Sequence, residues 1–146
     1  MSARRSALTR ANLGFLLAKA SQRWNEALAE GFTAAGFGHV RPAFGAVLIP
    51  LFEEDGLRLG ELAERGGIAK QTMTTSIRQV EAAGLVRRLP DPADARATRV
   101  YLTAEARRFA PVAERVLAAI ERRARATGGD AEMRRVAGWL ERYTRS

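Results

Sequence analysis

The chain contains no cysteine and a single histidine. The first absence excludes disulfides, thiol nucleophiles, thiol redox sensing and cysteine zinc sites. The second leaves a transition-metal sensor short of ligands and a histidine-based triad with only His39 to draw on. There is no Gly-rich phosphate-binding loop. The acidic run Glu53-Glu54-Asp55 reads as the solvated end of a helix. These gaps point away from an enzyme, a metal centre and a bound cofactor. No stretch approaches the ~18 unbroken apolar residues of a membrane span. The N-terminal "MSARRSALTRANLGFLLAKA" is interrupted by Asn12, Gly14 and Lys19, which makes a poor signal peptide. A reducing compartment fits, and the expected setting is the cytoplasm with no membrane partner.

What is present is positive charge and ample apolar material. The 146 residues carry 24 Lys+Arg against 16 Asp+Glu, a net +8, with a pI near 11.2. Such a balance favours polyanions, nucleic acid first and an anionic membrane surface second. The plain alternative is a basic but ordinary soluble protein. The hydrophobic fraction of 47% suffices for a core. The length suits one domain, or a small domain with dimerising arms.

Leu13, Leu17, Ala20, Trp24, Leu28 and Phe32 recur at helical steps, so one long helix is expected over about 8–33, ended by Gly36 and Gly38. A second helix is expected from Pro42 through Phe52, kinked by Pro50. "LRLGELAERGG" gives a short third helix, and a fourth follows over about 69–83. Leu85–Leu89 and Thr98–Leu102 read as strands joined by the turn-rich loop "PDPADARA". Thr103 is a candidate N-cap for a long helix to about residue 126, kinked at Pro111. "GGD" breaks the chain, and a last helix follows.

A short helix, a glycine turn, a second helix and a basic hairpin form a winged helix-turn-helix. The second helix of such a unit suits the major groove, and an extended basic loop suits the minor groove. In "KQTMTTSIRQ" Met73, Ile77 and Val80 fall on one side of the helical wheel. Gln71, Thr75 and Arg78 lie opposite, with Gln79 beside them. Arg suits guanine, Gln adenine, and Thr the thymine methyl or a phosphate. Lys70 and Thr72 stand near the helix start, where phosphate gains from free N–H groups. Thr72 and Thr74 flank the outward face as phosphate contacts, and Ser76 turns half toward the core. The face bears no acid from Lys70 through Val80. On the hairpin, Arg87, Arg88, Arg96 and Arg99 supply charge. Asp91 and Asp94 are odd in a loop for polyanions. Asx-type turns and an Asp–Arg pair that aims Arg96 outward would account for them.

The order and spacing of "ELA", "VEAAGLV" and "DPADARA…VYLT", within residues 57–106, resemble the MarR family of bacterial transcriptional regulators. The flanking helices resemble it in length and placement. The resemblance implies one domain over 1–146 that is mostly α with a small β-hairpin wing. Its winged-helix DNA-binding lobe would span about 40–103, and its dimerisation helices about 8–36 and 104–146. It implies a homodimer binding pseudo-palindromic double-stranded DNA, usually as a repressor. Arg96 takes the place of the wing arginine that enters the minor groove, Asp94 that of the acidic wing residue, and Gly84 the turn after the recognition helix. Many members release DNA on binding a small, often phenolic, ligand, and a small, aromatic effector is the expectation here. By the same resemblance Trp24, His39, Arg41 and Phe44 would line the effector pocket, although His39 alone reads as a loop residue and Trp24 as core. There are departures. The paired basic wing motif is Asp94-Ala95-Arg96 here, Thr75 stands where many members have Arg, and Arg58 stands where a Ser or Thr cap is common. Ala95 and Thr75 keep a second reading open, a winged-helix protein-interaction or architectural module without sequence-specific DNA reading.

Overall fold

The computed structural model describes residues 7–146; the first residues of the N-terminal segment considered above as a targeting signal lie outside the described residues. Helix α1 (Leu13–Ala34) begins at the first residue of its apolar stripe, later than the expected start near residue 8. The reason is Asn12, whose side-chain oxygen accepts the N–H groups of Gly14 at 3.0 Å and Phe15 at 3.3 Å. It closes the N-terminus and leaves residues 8–11 outside the helix. Gly36, at φ +86°, turns the chain away at the other end. The second helical segment is split. Pro42–Phe44 forms one 3-10 turn, and α2 (Gly45–Glu53) follows with Pro50 inside it.

Leu57 and Arg58, expected at the head of the next helix, form a short strand, β1 (Leu57–Arg58). Helices α3 (Leu59–Gly66) and α4 (Lys70–Ala82) come next, joined by a turn in which Gly67 is left-handed. Strands β2 (Val86–Asp91) and β3 (Asp94–Leu102) then pair from Val86↔Leu102 up to Asp91↔Asp94. Of the expected eight-residue loop, Pro90, Asp91 and Asp94 join the ladder, residues 95–97 form an irregularity between the Pro90 and Asp91 rungs, and Pro92 and Ala93 make the turn. Pro90 is tolerated because the sheet order β1-β3-β2 puts β2 at an edge. β1 adds to β3 through Leu57↔Val100 and Arg58↔Arg99.

Thr103 caps α5 (Ala104–Arg145) by accepting the Ala106 N–H at 3.2 Å. Pro111 leaves the backbone dihedrals helical. The one non-helical residue inside α5 is Gly129 (φ 84°, ψ 170°), where the "GGD" break was expected.

One core joins these elements. Met73, Ile77 and Val80 of α4 meet Leu62 of α3, Leu48 and Leu51 of α2, and Leu57, Val86 and Val100 of the sheet. Each fully buried aliphatic side chain is worth ~1.5–3 kcal/mol against exposure, so α4's inner stripe is ample to hold it down. Phe32 and Phe109 join α1 to α5 edge to face at 4.8 Å. The two helices approach closely at Gly31, where an added Cβ would lie 2.5 Å from Val116 Cγ1. Their far ends are less covered: Leu13, Phe15 and Leu16 of α1 and Val136 and Tyr143 of α5 are exposed.

Candidate nucleic-acid interface

Helix α4 has the two faces its sequence predicts. Met73, Ile77 and Val80 are buried, and Lys70, Gln71, Thr72, Thr75, Arg78 and Gln79 are exposed. Ser76 is half-buried, as the wheel predicts. No side chain caps the helix start, so the first backbone N–H groups stay available to an acceptor. Lys70, Gln71, Arg78 and Gln79 make no side-chain hydrogen bond or ion pair within the described residues, so their polar ends are uncommitted. Two hydroxyls differ. Thr74 Oγ1 donates to the Lys70 carbonyl at 2.9 Å, and Thr75 Oγ1 to the Gln71 carbonyl at 3.2 Å. A hydroxyl has one proton to give. In this state Thr74 and Thr75 therefore present a methyl group and lone pairs, which suits apolar contact with thymine better than donation to phosphate.

The wing separates its arginines into two kinds. Arg96 is 93% exposed at its side chain. Asp94 Oδ1 accepts its backbone N–H at 3.0 Å and its Nε at 3.4 Å, which holds the residue at the tip without covering it. Arg87 is exposed and makes no ion pair among the described residues. Arg88 is committed. Its backbone N–H, Nε and Nη2 all donate to Glu81, at 2.9, 3.1 and 2.8 Å. That contact holds the Glu81 carboxyl below its ordinary range, through the Arg88 side chain first and its backbone N–H second.

Arg99 is committed too, contrary to its expected role as a free contact. Its Nε donates to Asp91 Oδ2 at 2.9 Å and its Nη1 to the Gly56 carbonyl at 2.8 Å. Arg58 reaches the same Asp91 oxygen, with Nε and Nη2 both at 2.7 Å. Asp91 Oδ1 accepts the Ala93 N–H at 2.8 Å, an Asx-type turn that closes the hairpin. Asp91 is the only buried polar or charged residue among those described, at 3% exposure. The Ala93 N–H first, then the Arg58 and Arg99 guanidiniums, hold its carboxyl below the usual range. The expected Asp–Arg pair at Arg96 is the Asp94 contact, and beside it stands a triad of Asp91 with Arg99 and Arg58, whose Arg58 arm sequence reasoning missed. The signal was present in the unusual Arg58 at the cap position.

The four residues expected to line one effector pocket are not brought together. Phe44 is buried in the core. His39 stacks on Phe37 and lies 3.5 Å from Glu105. Trp24 faces a groove between α1 and α5 with Arg23 and Arg123. Only Arg41 lines the apolar cleft of about 460 Å³ between α1, α2 and α5, whose walls include Phe32, Leu48, Phe52, Phe109 and Leu117. The physical reason is the 3-10 turn, which points Phe44 inward and sets Arg41 at the cleft rim.

A family model described as "MarR family" matches residues 45–98, from the start of α2 to the middle of β3. These residues, most of the winged-helix lobe, are similar to that family. The fold of the whole chain is that of solved MarR-type regulators. A probable transcriptional regulator from Pseudomonas aeruginosa is 26% identical, with a TM-score of 0.77 over 91% of this chain and 97% of that one. The PcaV transcriptional regulator from Streptomyces coelicolor, solved with its natural ligand, is 20% identical at TM-score 0.79, covering 100% and 99%. The transcriptional repressor CouR, bound to a 23-mer DNA duplex, is 24% identical at TM-score 0.77, covering 94% and 99%. CouR from Rhodococcus jostii RHA1 is also seen bound to p-coumaroyl-CoA, at 23% identity and TM-score 0.75, covering 95% and 96%. No curated protein sequence matches the chain. Among the described residues, the MarR-type lobe and its arms contain no helix long and apolar enough to cross a membrane.

Proposed function

We propose that this chain is a sequence-specific DNA-binding transcriptional regulator, a homodimeric repressor of a pseudo-palindromic site. The observation that carries the reading is the outward face of α4. It offers Lys70, Gln71, Arg78 and Gln79, with the Thr75 methyl among them, without an acid from residue 70 to 80, and the four long side chains have no partner among the described residues that would compete for their polar ends. Arg96 and Arg87 extend the positive surface onto the wing. The role is binding and release rather than catalysis, in the cytoplasm where the DNA is.

Two further observations support the details. Leu13 is 54% exposed and Tyr143 60% exposed, and Leu16 and Val136 are uncovered beside them. A second copy would cover these ends and set two recognition helices about one DNA turn, ~34 Å, apart. The apolar cleft with Arg41 at its rim suits a small aromatic effector. CouR supplies a precedent for a repressor of this fold found on DNA in one structure and with an acyl-CoA in another.

Selection of duplexes from a randomised pool tests the reading. A twofold-symmetric motif should emerge, and affinity should fall steeply with salt, by ~0.9 log units per log unit for each phosphate neutralised. Recovery of no motif would overturn sequence-specific reading. It would favour the second reading, an architectural or protein-interaction module, for which Ala95 and the committed Arg88 and Arg99 are the supporting observations.

A further inference from the structure

We infer that Asp91, through Arg58 and Arg99, is the positioning group of the wing: it fixes the hairpin tip against β1 before DNA arrives, so that Arg96 is presented at a preset place. The inference rests on the DNA-binding reading above and adds residues which that reading does not need.

A two-stranded hairpin is marginal on its own in water. Here the third strand gives little help near the tip, because β1 pairs only at Leu57↔Val100 and Arg58↔Arg99. Asp91 lies beyond those pairs, in the last rung of the β2–β3 ladder, opposite Asp94. Asp94 in turn holds Arg96. Asp91 therefore lies directly across the same rung from the residue that fixes the exposed arginine. It is tied outward to Ala93 in the turn and downward to Arg58 in β1. Arg99 also ties to the Gly56 carbonyl, so the triad reaches the chain entering β1 as well. The links span 33 residues between Arg58 and Asp91 and 43 between Gly56 and Arg99.

Burying a carboxylate is costly unless its oxygens are bonded and its charge is countered. Asp91 meets both conditions with three N–H groups from two guanidiniums and one from the backbone. The arrangement also uses two arginines of a polyanion-binding surface for internal contacts. A device that only raised the charge of the wing would leave them free. Ala95 sharpens the point, because it leaves Arg96 as the single arginine of the tip. A single contact held in its bound geometry loses little freedom on binding, and that preorganisation offsets the missing charge.

The test is a double-mutant cycle on the full chain and its selected duplex, at one salt concentration. Asp91→Asn should weaken binding about tenfold. Arg96→Ala should weaken it at least as much. The double variant should bind no worse than Arg96→Ala alone, because Asp91 acts through Arg96. Base preference at the positions read by α4 should stay as in the wild type, which loss of global structure would not allow. Amide exchange over residues 92–98 should speed up in Asp91→Asn without DNA. Arg58→Gln removes one arm only and keeps the test alive if Asp91→Asn does not fold. It should give a smaller loss, again absent in the Arg96→Ala background. If Arg96→Ala weakens binding but the Asp91 and Arg58 variants bind as the wild type, the inference fails and the DNA reading stands. Losses that multiply in the double variant also overturn it. Wild-type binding by Arg96→Ala would instead sink the wing's part in the DNA reading, and this inference with it.

Discussion

Helix α4 and the wing treat their polar side chains in opposite ways. On α4 the outward long side chains, Lys70, Gln71, Arg78 and Gln79, end free of bonds to the described residues, while the helix is held from behind by Met73, Ile77 and Val80. On the wing, apolar burial runs out toward the tip, and charged contacts replace it. Arg88 is spent on Glu81, and Arg58 and Arg99 on Asp91, leaving Arg96 and Arg87 outward. The difference follows from geometry. A helix has a face to bury and can leave the other face uncommitted, whereas the tip of a hairpin has no core behind it and must be fastened by hydrogen bonds. Positive charge on such a surface is therefore a poor guide to ligand contact until its internal partners are known.

The comparison can be broken from the core side first. Ile77→Ala should cost ~2–5 kcal/mol of stability, read by urea unfolding, because the side chain is fully buried behind α4. Next come the free ends. Arg78→Ala should cost ~1–3 kcal/mol at one base position and relax the preference there, seen by repeating the duplex selection. Arg96→Ala should instead weaken all sequences alike and lower the salt slope by about one. A base-specific effect from Arg96, or a uniform one from Arg78, would reverse the assignment of the two regions.

The fastenings should show smaller effects. Glu81→Gln breaks an exposed pair and should cost under about 1 kcal/mol by thermal unfolding. The pH response has a definite sign. The carboxyls of Asp91 and Glu81 are depressed in the folded chain, so their contribution is complete above the unfolded values, ~3.9 for Asp and ~4.3 for Glu, and is lost as pH falls through the folded ones. Wing amides should accordingly stay protected through the ordinary carboxylate range and open only below it. Protection lost already near pH 5, while α4 stays closed, would contradict the triad. The smallest effect belongs to Thr75→Val, which keeps the methyl and removes a hydroxyl already given to the Gln71 carbonyl. Binding should scarcely change, whereas Thr75→Ser, which lacks the methyl, should shift the preference at one position.

Much of this was legible in the sequence. The stripe of α4, its stop at Gly84, the Thr103 cap and the break near Gly129 all follow from local chemistry. What escaped was non-local. β1 is two residues long, too short to display an alternating pattern, and it exists because β3 lies beside it. The wing looked like a loop because Pro90, Asp91, Pro92 and Asp94 are turn residues. The ladder runs through Pro90 and up to the Asp91 rung because an edge strand tolerates a missing donor and because Asp91 is bonded at both oxygens. The sequence displays Arg88 and Arg99 as charges and hides that each has an acid waiting. The effector set rests on the resemblance alone, and the 3-10 turn at Pro42 decides that of the four only Arg41 reaches the cleft.

The crossing at Gly31 carries a mechanical consequence. With no side chain between the α1 backbone and Val116, the helices meet without a compressible layer. A layer of flexible side chains would let one rod slip or roll against the other. A bare backbone against a branched side chain works as a hard stop. Displacement of one helix at this crossing is thereby passed to the other rather than absorbed, and even one added methyl at residue 31 acts as a shim.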